Sequence, residues 1–123
     1  MADIRGRAYP AVQGTGKTSG VGDVDVIAGV TDKSIYVTHL LISVSDQPTT
    51  DVQRQLQISD GPTASGTIFY DAEINGTESR YATNSLSVNF GEYGYKLGVG
   101  NALVVKTGNA DTDATVTALG YTK

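Results

Sequence analysis

The chain has 123 residues, 13 of them acidic and 9 basic, for a net charge of −4, and it contains no cysteine. That length suits one domain able to bury roughly two-thirds of its unfolded surface without staples, and the missing cysteine excludes a thiol nucleophile, a thiolate zinc site and a disulfide scaffold. No apolar run approaches the length of a membrane span and no basic-then-apolar start reads as a secretory signal, so synthesis in a cytoplasm and no membrane partner are expected.

The charge is unevenly placed. Arg5, Arg7 and Lys17 against Asp3 give the segment up to Thr18 a net +2 and leave −6 on the remainder. A basic segment on an acidic body suggests docking on an acidic surface and argues against nucleic acid as a partner of the body. Residues 1–22 lack a sustained period of either kind, and their Gly/Ser/Thr-rich second half reads as a flexible link. They are expected to form an extended N-terminal arm ahead of a domain spanning 23–123. Within the arm Ile4, Arg5, Arg7 and Tyr9 are the candidate partner-binding residues, two forked guanidinium donors beside two apolar anchors.

From residue 23 the pattern is one of strands. Asp23–Ala28 alternates Val24 and Val26 with two aspartates, a short strand with its acids toward solvent. Gly29–Lys33 turns the chain into Ile35–Val44, the longest run of β-favouring residues. Here one parity presents Ile35, Val37, His39 and Leu41, and the other Tyr36, Leu40, Ile42 and Val44. A strand apolar on both faces must be covered on both. One cover is the facing sheet and the other has to come from the N-terminal arm, a long loop or a neighbouring subunit; the last makes Tyr36, Leu40 and Ile42 candidate oligomer-interface residues and points toward self-association, a homotrimer being the expected form.

After a loop around Pro48, Val52–Ser59 alternates Val52, Leu56 and Ile58 with three glutamines. A turn-rich stretch at 59–66 precedes the strand Thr67–Ile74, and Asn75-Gly76 is the strongest hairpin signal in the chain. Ser85–Phe90 alternates Leu86, Val88 and Phe90 with polar residues. Residues 91–101 read as a bent, glycine-broken strand in which Tyr93, Tyr95, Leu97 and Val99 share parity. Ala102–Thr107 and Ala114–Tyr121 close the chain. About eight short strands with no helix candidate make an all-β antiparallel β-sandwich. A jelly roll is preferred because the longest loops fall where crossovers between sheets are needed. An immunoglobulin-like sandwich finds neither a tryptophan nor a cysteine pair to support it.

Few residues are placed to carry chemistry. Gly14-Thr15-Gly16-Lys17-Thr18 ends like a phosphate-binding loop, but that loop needs a buried strand before it and a helix after it. Here Ala11 stands where the first glycine belongs and Ser19-Gly20-Val21-Gly22 is a poor helix start. Asn109, Asp111 and Asp113 open like a calcium loop, yet Ala114 and Gly120 occupy the positions of its glycine and closing glutamate. Asp23/Asp25 and Asp71/Glu73 read as solvated acids before they read as a sugar-cleaving pair. His39 is the one histidine, so no His-based triad or multi-histidine metal site assembles within a chain. No catalytic residue, metal or cofactor is expected. Tyr70, Tyr81, Tyr93, Tyr95 and Tyr121 suit sugar rings and protein interfaces equally.

Taken together, Ile27-Ala28-Gly29-Val30, Lys33-Ser34-Ile35-Tyr36-Val37, the Asp60-Gly61 turn, Gly100-Asn101-Ala102-Leu103-Val104-Val105 and Ala114-Thr115-Val116-Thr117-Ala118-Leu119-Gly120-Tyr121 resemble the small jelly-roll virion proteins of tailed bacteriophages. The resemblance covers about residues 23–121. It implies an oligomeric capsid decoration (cement) protein on the capsid surface of a virion, with the major capsid protein as partner. Related jelly rolls of tail fibres and tips make a glycan-binding module the alternative. The resemblance implies no catalytic residue.

Overall fold

The computed structural model describes residues 9–19, 22–46, 53–62, 64–75, 82–107 and 112–123. Among these residues lie nine strands and no helix: β1 (Ala11–Ser19), β2 (Gly22–Ile27), β3 (Ile35–Asp46), β4 (Gln53–Asp60), β5 (Thr67–Asn75), β6 (Ala82–Asn89), β7 (Tyr95–Lys96), β8 (Leu103–Thr107) and β9 (Thr112–Thr122). One sheet has the order β1-β9-β3-β6, with the two-residue β7 also on β3, and the other has the order β2-β8-β4-β5. Every pairing is antiparallel, and the pairs nest: β4 with β5, β3 with β6, β2 with β8, β1 with β9. A long antiparallel hairpin rolled over itself into two facing sheets is a jelly roll, as the spacing of strands and loops led us to expect.

The first strand is a correction to the expected arm. Residues 11–19 are not a flexible link but a nine-residue edge strand, registered on β9 from Ala11↔Tyr121 to Ser19↔Asp113. Its core-side parity is Val12, Gly14, Gly16 and Thr18. Two of those four positions have no side chain, so no apolar alternation is visible. The glycines serve an approach between sheets: a Cβ on Gly14 would fall on the Val26 carbonyl oxygen, and one on Gly16 would press on the Val26 side chain and the Asp25 carbonyl. Thr18 is buried, its hydroxyl 3.3 Å from that of Thr107. The phosphate-loop likeness therefore ends in an extended strand with no helix behind it, and Lys17 points to solvent. Removing residues 2–18 would delete this strand rather than trim a tail.

The second correction lies in β3. Opposite β9 the register passes from Val37↔Gly120 to His39↔Leu119, leaving Thr38 as an extra residue in a β-bulge. A bulge flips side-chain parity. The core side thus takes Ile35 and Val37 before the bulge and Leu40, Ile42 and Val44 after it, all buried. Tyr36, His39, Leu41 and Ser43 fall on the other side. Leu40 and Ile42 belong to the core of a single chain, so they do not form an oligomer surface, and Tyr36 does not share their face. The strand is not apolar on both sides, and the cover it needs is the facing sheet.

That facing sheet contributes Val26, Ile27, Leu56, Ile58, Leu103 and Val105 to the same cluster, with Val116 and Ala118 added from β9. Burying a Val, Leu or Ile side chain contributes about 1.5–3 kcal/mol, so this inter-sheet layer holds the fold. Asn75 lies at the end of β5, while the rest of the expected 75–76 hairpin turn falls outside the described residues. Along the open side of the sandwich a bulge in β5, between Ile58↔Tyr70 and Ser59↔Ile68, brings out Phe69. Phe69 stacks on Tyr95 at 4.2 Å between centroids and meets Phe90 edge-on at 5.7 Å. Residues 91–101 are accordingly not one bent strand. Gly94 and Gly100 take positive φ, so Tyr95 and Leu97 pack inward while Tyr93 and Val99 stay exposed.

Candidate functional site

With parity settled, the outer face of the β1-β9-β3-β6 sheet can be read across the strands. Strand register places Gln13, Leu119, His39 and Asn89 in one row, Thr15, Thr117, Leu41 and Ser87 in the next, and Lys17, Thr115, Ser43 and Ser85 in a third. Lys17 is the one charged residue of this grid. Leu41 is 50% exposed and Leu119 38% exposed. They sit diagonally on the two inner strands, a spacing of about 7–8 Å between backbones that long side chains bridge. Around them the groups are hydroxyls and amides, and the Thr15 and Thr117 hydroxyls hydrogen-bond each other at 3.0 Å.

Two shallow open depressions lie in this face. One, of about 360 Å³, is bordered by Leu41, Ser43, Leu86, Ser87, Thr115 and Thr117. The other, of about 400 Å³, is bordered by Ala11, Gln13, Thr38, His39 and Leu119. His39 is fixed at the bulge. The Thr38 hydroxyl donates its proton to the Leu119 carbonyl at 3.0 Å, so toward the His39 Nδ1, 3.1 Å away, it accepts. In that arrangement Nδ1 is the donor to the Thr38 hydroxyl.

One end of the face is closed by tyrosines. Ala11, Tyr121, Tyr36 and Lys96 share a row. The Tyr121 ring stacks on Tyr36 at 4.9 Å, parallel to within 1°, and on Tyr9 at 5.6 Å. Lys123 Nζ lies 5.2 Å from the Tyr9 centroid, a cation–π contact, and the Tyr121 hydroxyl donates to the Tyr93 carbonyl at 2.7 Å.

The opposite sheet presents a different outer face. Asp23, Lys106, Gln57 and Asp71 form one cross-strand row, with Asp25 beside it on β2. Asp23, Asp25 and Asp71 are exposed. The three rows of the first outer face thus carry one charged residue, whereas a single row of the second carries Asp23, Lys106 and Asp71. Among the described residues no group of three His, Asp or Glu side chains is placed to hold a metal ion.

Of the residues singled out in the sequence, Tyr9 lies in the tyrosine column and Tyr36 beside it, while Leu40 and Ile42 are in the core. Ile4, Arg5 and Arg7 lie outside the described residues, as do Tyr81, Asn109 and Asp111. Leu41, Leu119 and the hydroxyl grid were not anticipated. Their signal was present in three strands whose solvent-side positions, such as Ser85/Ser87/Asn89 and Thr115/Thr117, carry hydroxyls and amides where an ordinary wet face carries lysine and glutamate. It could not be joined across strands before the register was known.

No protein-family model matches the sequence, and no curated protein matches it. Solved structures do match. The Eiger TNF of S. frugiperda aligns with a TM-score of 0.52 at 13% identity, over 94% of this chain and 93% of that one. The structure of Broad Bean Stain Virus aligns at 0.48 and 8% identity, over 98% and 90% of the respective chains. The PRD1 vertex protein aligns at 0.43 and 10%, over 94% and 99%. At 13% identity the likeness to the Eiger TNF is one of fold alone.

Proposed function

We propose that this protein is a non-enzymatic structural component of a phage virion, a capsid decoration protein that oligomerises and fastens onto the major capsid protein at the capsid exterior. The observation that carries the reading is the division of the surface. Over the three rows from Gln13–Asn89 to Lys17–Ser85 the chain gathers a leucine-centred area with a single charged residue on one broad sheet face, while Asp23, Asp25 and Asp71 lie on the other, the layout of a protein whose work is contact over an area. A flat field of hydroxyls and amides supplies hydrogen bonds and apolar contact without a paired acid and base. The resemblance of residues 23–121 to small virion jelly rolls supports the same reading.

The test is to mix the purified chain with particles lacking it and reconstruct them by cryo-electron microscopy. Added density at regular positions on the outer capsid is the expected result. Density confined to the tail, or none at saturating protein, would remove the decoration reading. A second reading, a glycan-binding module of a tail fibre or tip, is favoured by the tyrosine column and by Tyr93, which is 58% exposed. It predicts saturable binding to host-surface oligosaccharides that Tyr36→Ala or Tyr93→Ala abolishes.

A further inference from the structure

We propose that the outer face of the β1-β9-β3-β6 sheet is a self-association surface, and that what covers it is a further copy of this chain. The inference deepens the structural-virion reading, on which its biological use rests, by naming the partner of that face.

Three observations point to a second copy rather than a foreign partner. The first is the arrangement by polarity. Leu41 and Leu119 hold the middle, uncharged hydrogen-bonding groups surround them, and the charged positions Lys17, Lys96 and, in the end row of β9, Asp113 stand at the margins. An apolar centre within a polar rim, with charge kept outside, is the anatomy of a protein–protein contact.

The second is the chemistry of the rim. Each serine and threonine hydroxyl both donates and accepts, and each amide carries both kinds of group. Such a surface can satisfy a copy of itself, as an isologous contact requires, whereas a face of carboxylates or ammoniums would need its opposite. The lysines are too far apart and too peripheral to form a patch for an acidic partner, and in a self-contact they remain wet.

The third is extent. Four strands about 4.8 Å apart, read over about ten residues of β3, give a face of roughly 19 by 30 Å in projection. Side-chain relief raises its accessible area toward the about 800 Å² per partner of a standard interface. The acidic face of the other sheet cannot serve the same purpose. One of its rows carries the charged groups Asp23, Lys106 and Asp71, and a contact there would have to strip water from them.

Sedimentation velocity of the full chain at micromolar concentration, with Leu41→Glu, Thr117→Lys and Gln57→Glu, tests the assignment. Wild type and Gln57→Glu, which alters the opposite face, are expected to sediment as the same oligomer. Leu41→Glu and Thr117→Lys are expected to weaken association at least about 100-fold, toward the 12.8 kDa monomer. Urea midpoints establish that each variant is folded; Thr117→Lys, at a half-exposed hydroxyl, keeps the test valid if Leu41→Glu does not fold. A wild-type monomer, or an oligomer unmoved by whichever of the two variants folds, would overturn the inference. The particle experiment is separate: an oligomer dissociated by Thr117→Lys that binds no capsid would leave this surface standing and remove the decoration reading, while a monomer that decorates capsids would do the reverse.

Discussion

Replacing Gly14 with alanine adds one methyl group at the seam between β1 and β2, and the sign of its effect distinguishes a packed strand from an arm. On an unconstrained segment Gly→Ala restricts the unfolded chain and stabilises by about 0.4–1 kcal/mol, or does nothing if the segment is unstructured in both states. In the folded strand the new Cβ would lie on the Val26 carbonyl oxygen and 3.1 Å from Ile27 Cγ1. Neither neighbour yields easily, since Val26 is main chain within β2 and β1 is held by nine registered residues of β9. The strand must withdraw by roughly an ångström before the contact becomes ordinary, forfeiting part of the dispersion around it. Overpacking of this kind costs about 1–3 kcal/mol. With a urea slope of about 1–3 kcal/mol/M, the unfolding midpoint should fall by about 1 M. Equilibrium unfolding followed by circular dichroism measures it, with Thr15→Ala, on the exposed side of the same strand, as the control that should move little. A Gly14→Ala midpoint equal to or above wild type would refute the packing of β1 on β2 and return residues 11–19 to an arm.

Two further outcomes follow from the same structure. Leu40→Ala should lower stability by about 2–5 kcal/mol, the range for truncating a buried leucine, in the same urea assay; a loss below about 1 kcal/mol would put Leu40 at a surface after all. Titration calorimetry with ATP or GTP and magnesium should show no saturable heat, because residues 14–18 lie in a ladder with β9 instead of cradling a phosphate ahead of a helix. Binding abolished by Lys17→Ala would contradict that placement.

Much of the fold was legible because most strands here have one wet face. Val24/Val26, Leu56/Ile58 and Leu86/Val88 alternate with polar residues, and such alternation survives translation into structure with little loss. β1 was not legible, since two glycines occupy its core-side positions and a missing side chain leaves no period to read. The stretch around Tyr95 failed for the opposite reason. Its tyrosines, leucine and valine alternate well, but glycines with positive φ bend the backbone between them, so parity no longer reports facing. The charge-poor face lay beyond sequence reasoning because it is a property of four strands in register, and Thr15, Thr117, Leu41 and Ser87 come into one row only once that register exists.

The bulge at Thr38 decides what kind of association the protein can have. Its own costs are met locally: the buried Thr38 hydroxyl donates to the Leu119 carbonyl, and the Thr38 carbonyl accepts from the Phe90 amide at 2.8 Å. With those bonds made, one strand delivers five aliphatic side chains to a single core, where an unbroken pleat would have turned Ile35 and Val37 outward beside Leu41. The apolar area that seemed to demand an outside partner is therefore largely consumed within the chain. On the outer face of the β1-β9-β3-β6 sheet, among the described residues, what is left for a partner is Leu41 and Leu119 in a field of hydroxyls. A contact through this face, with two exposed leucines and a self-complementary polar rim, does not supply the hydrophobic area of an obligate oligomer, in which the protomer does not fold alone. The protomer should hence be stable by itself through its inter-sheet core, and its self-association reversible and concentration-dependent, so that dilution separates folded chains without unfolding them.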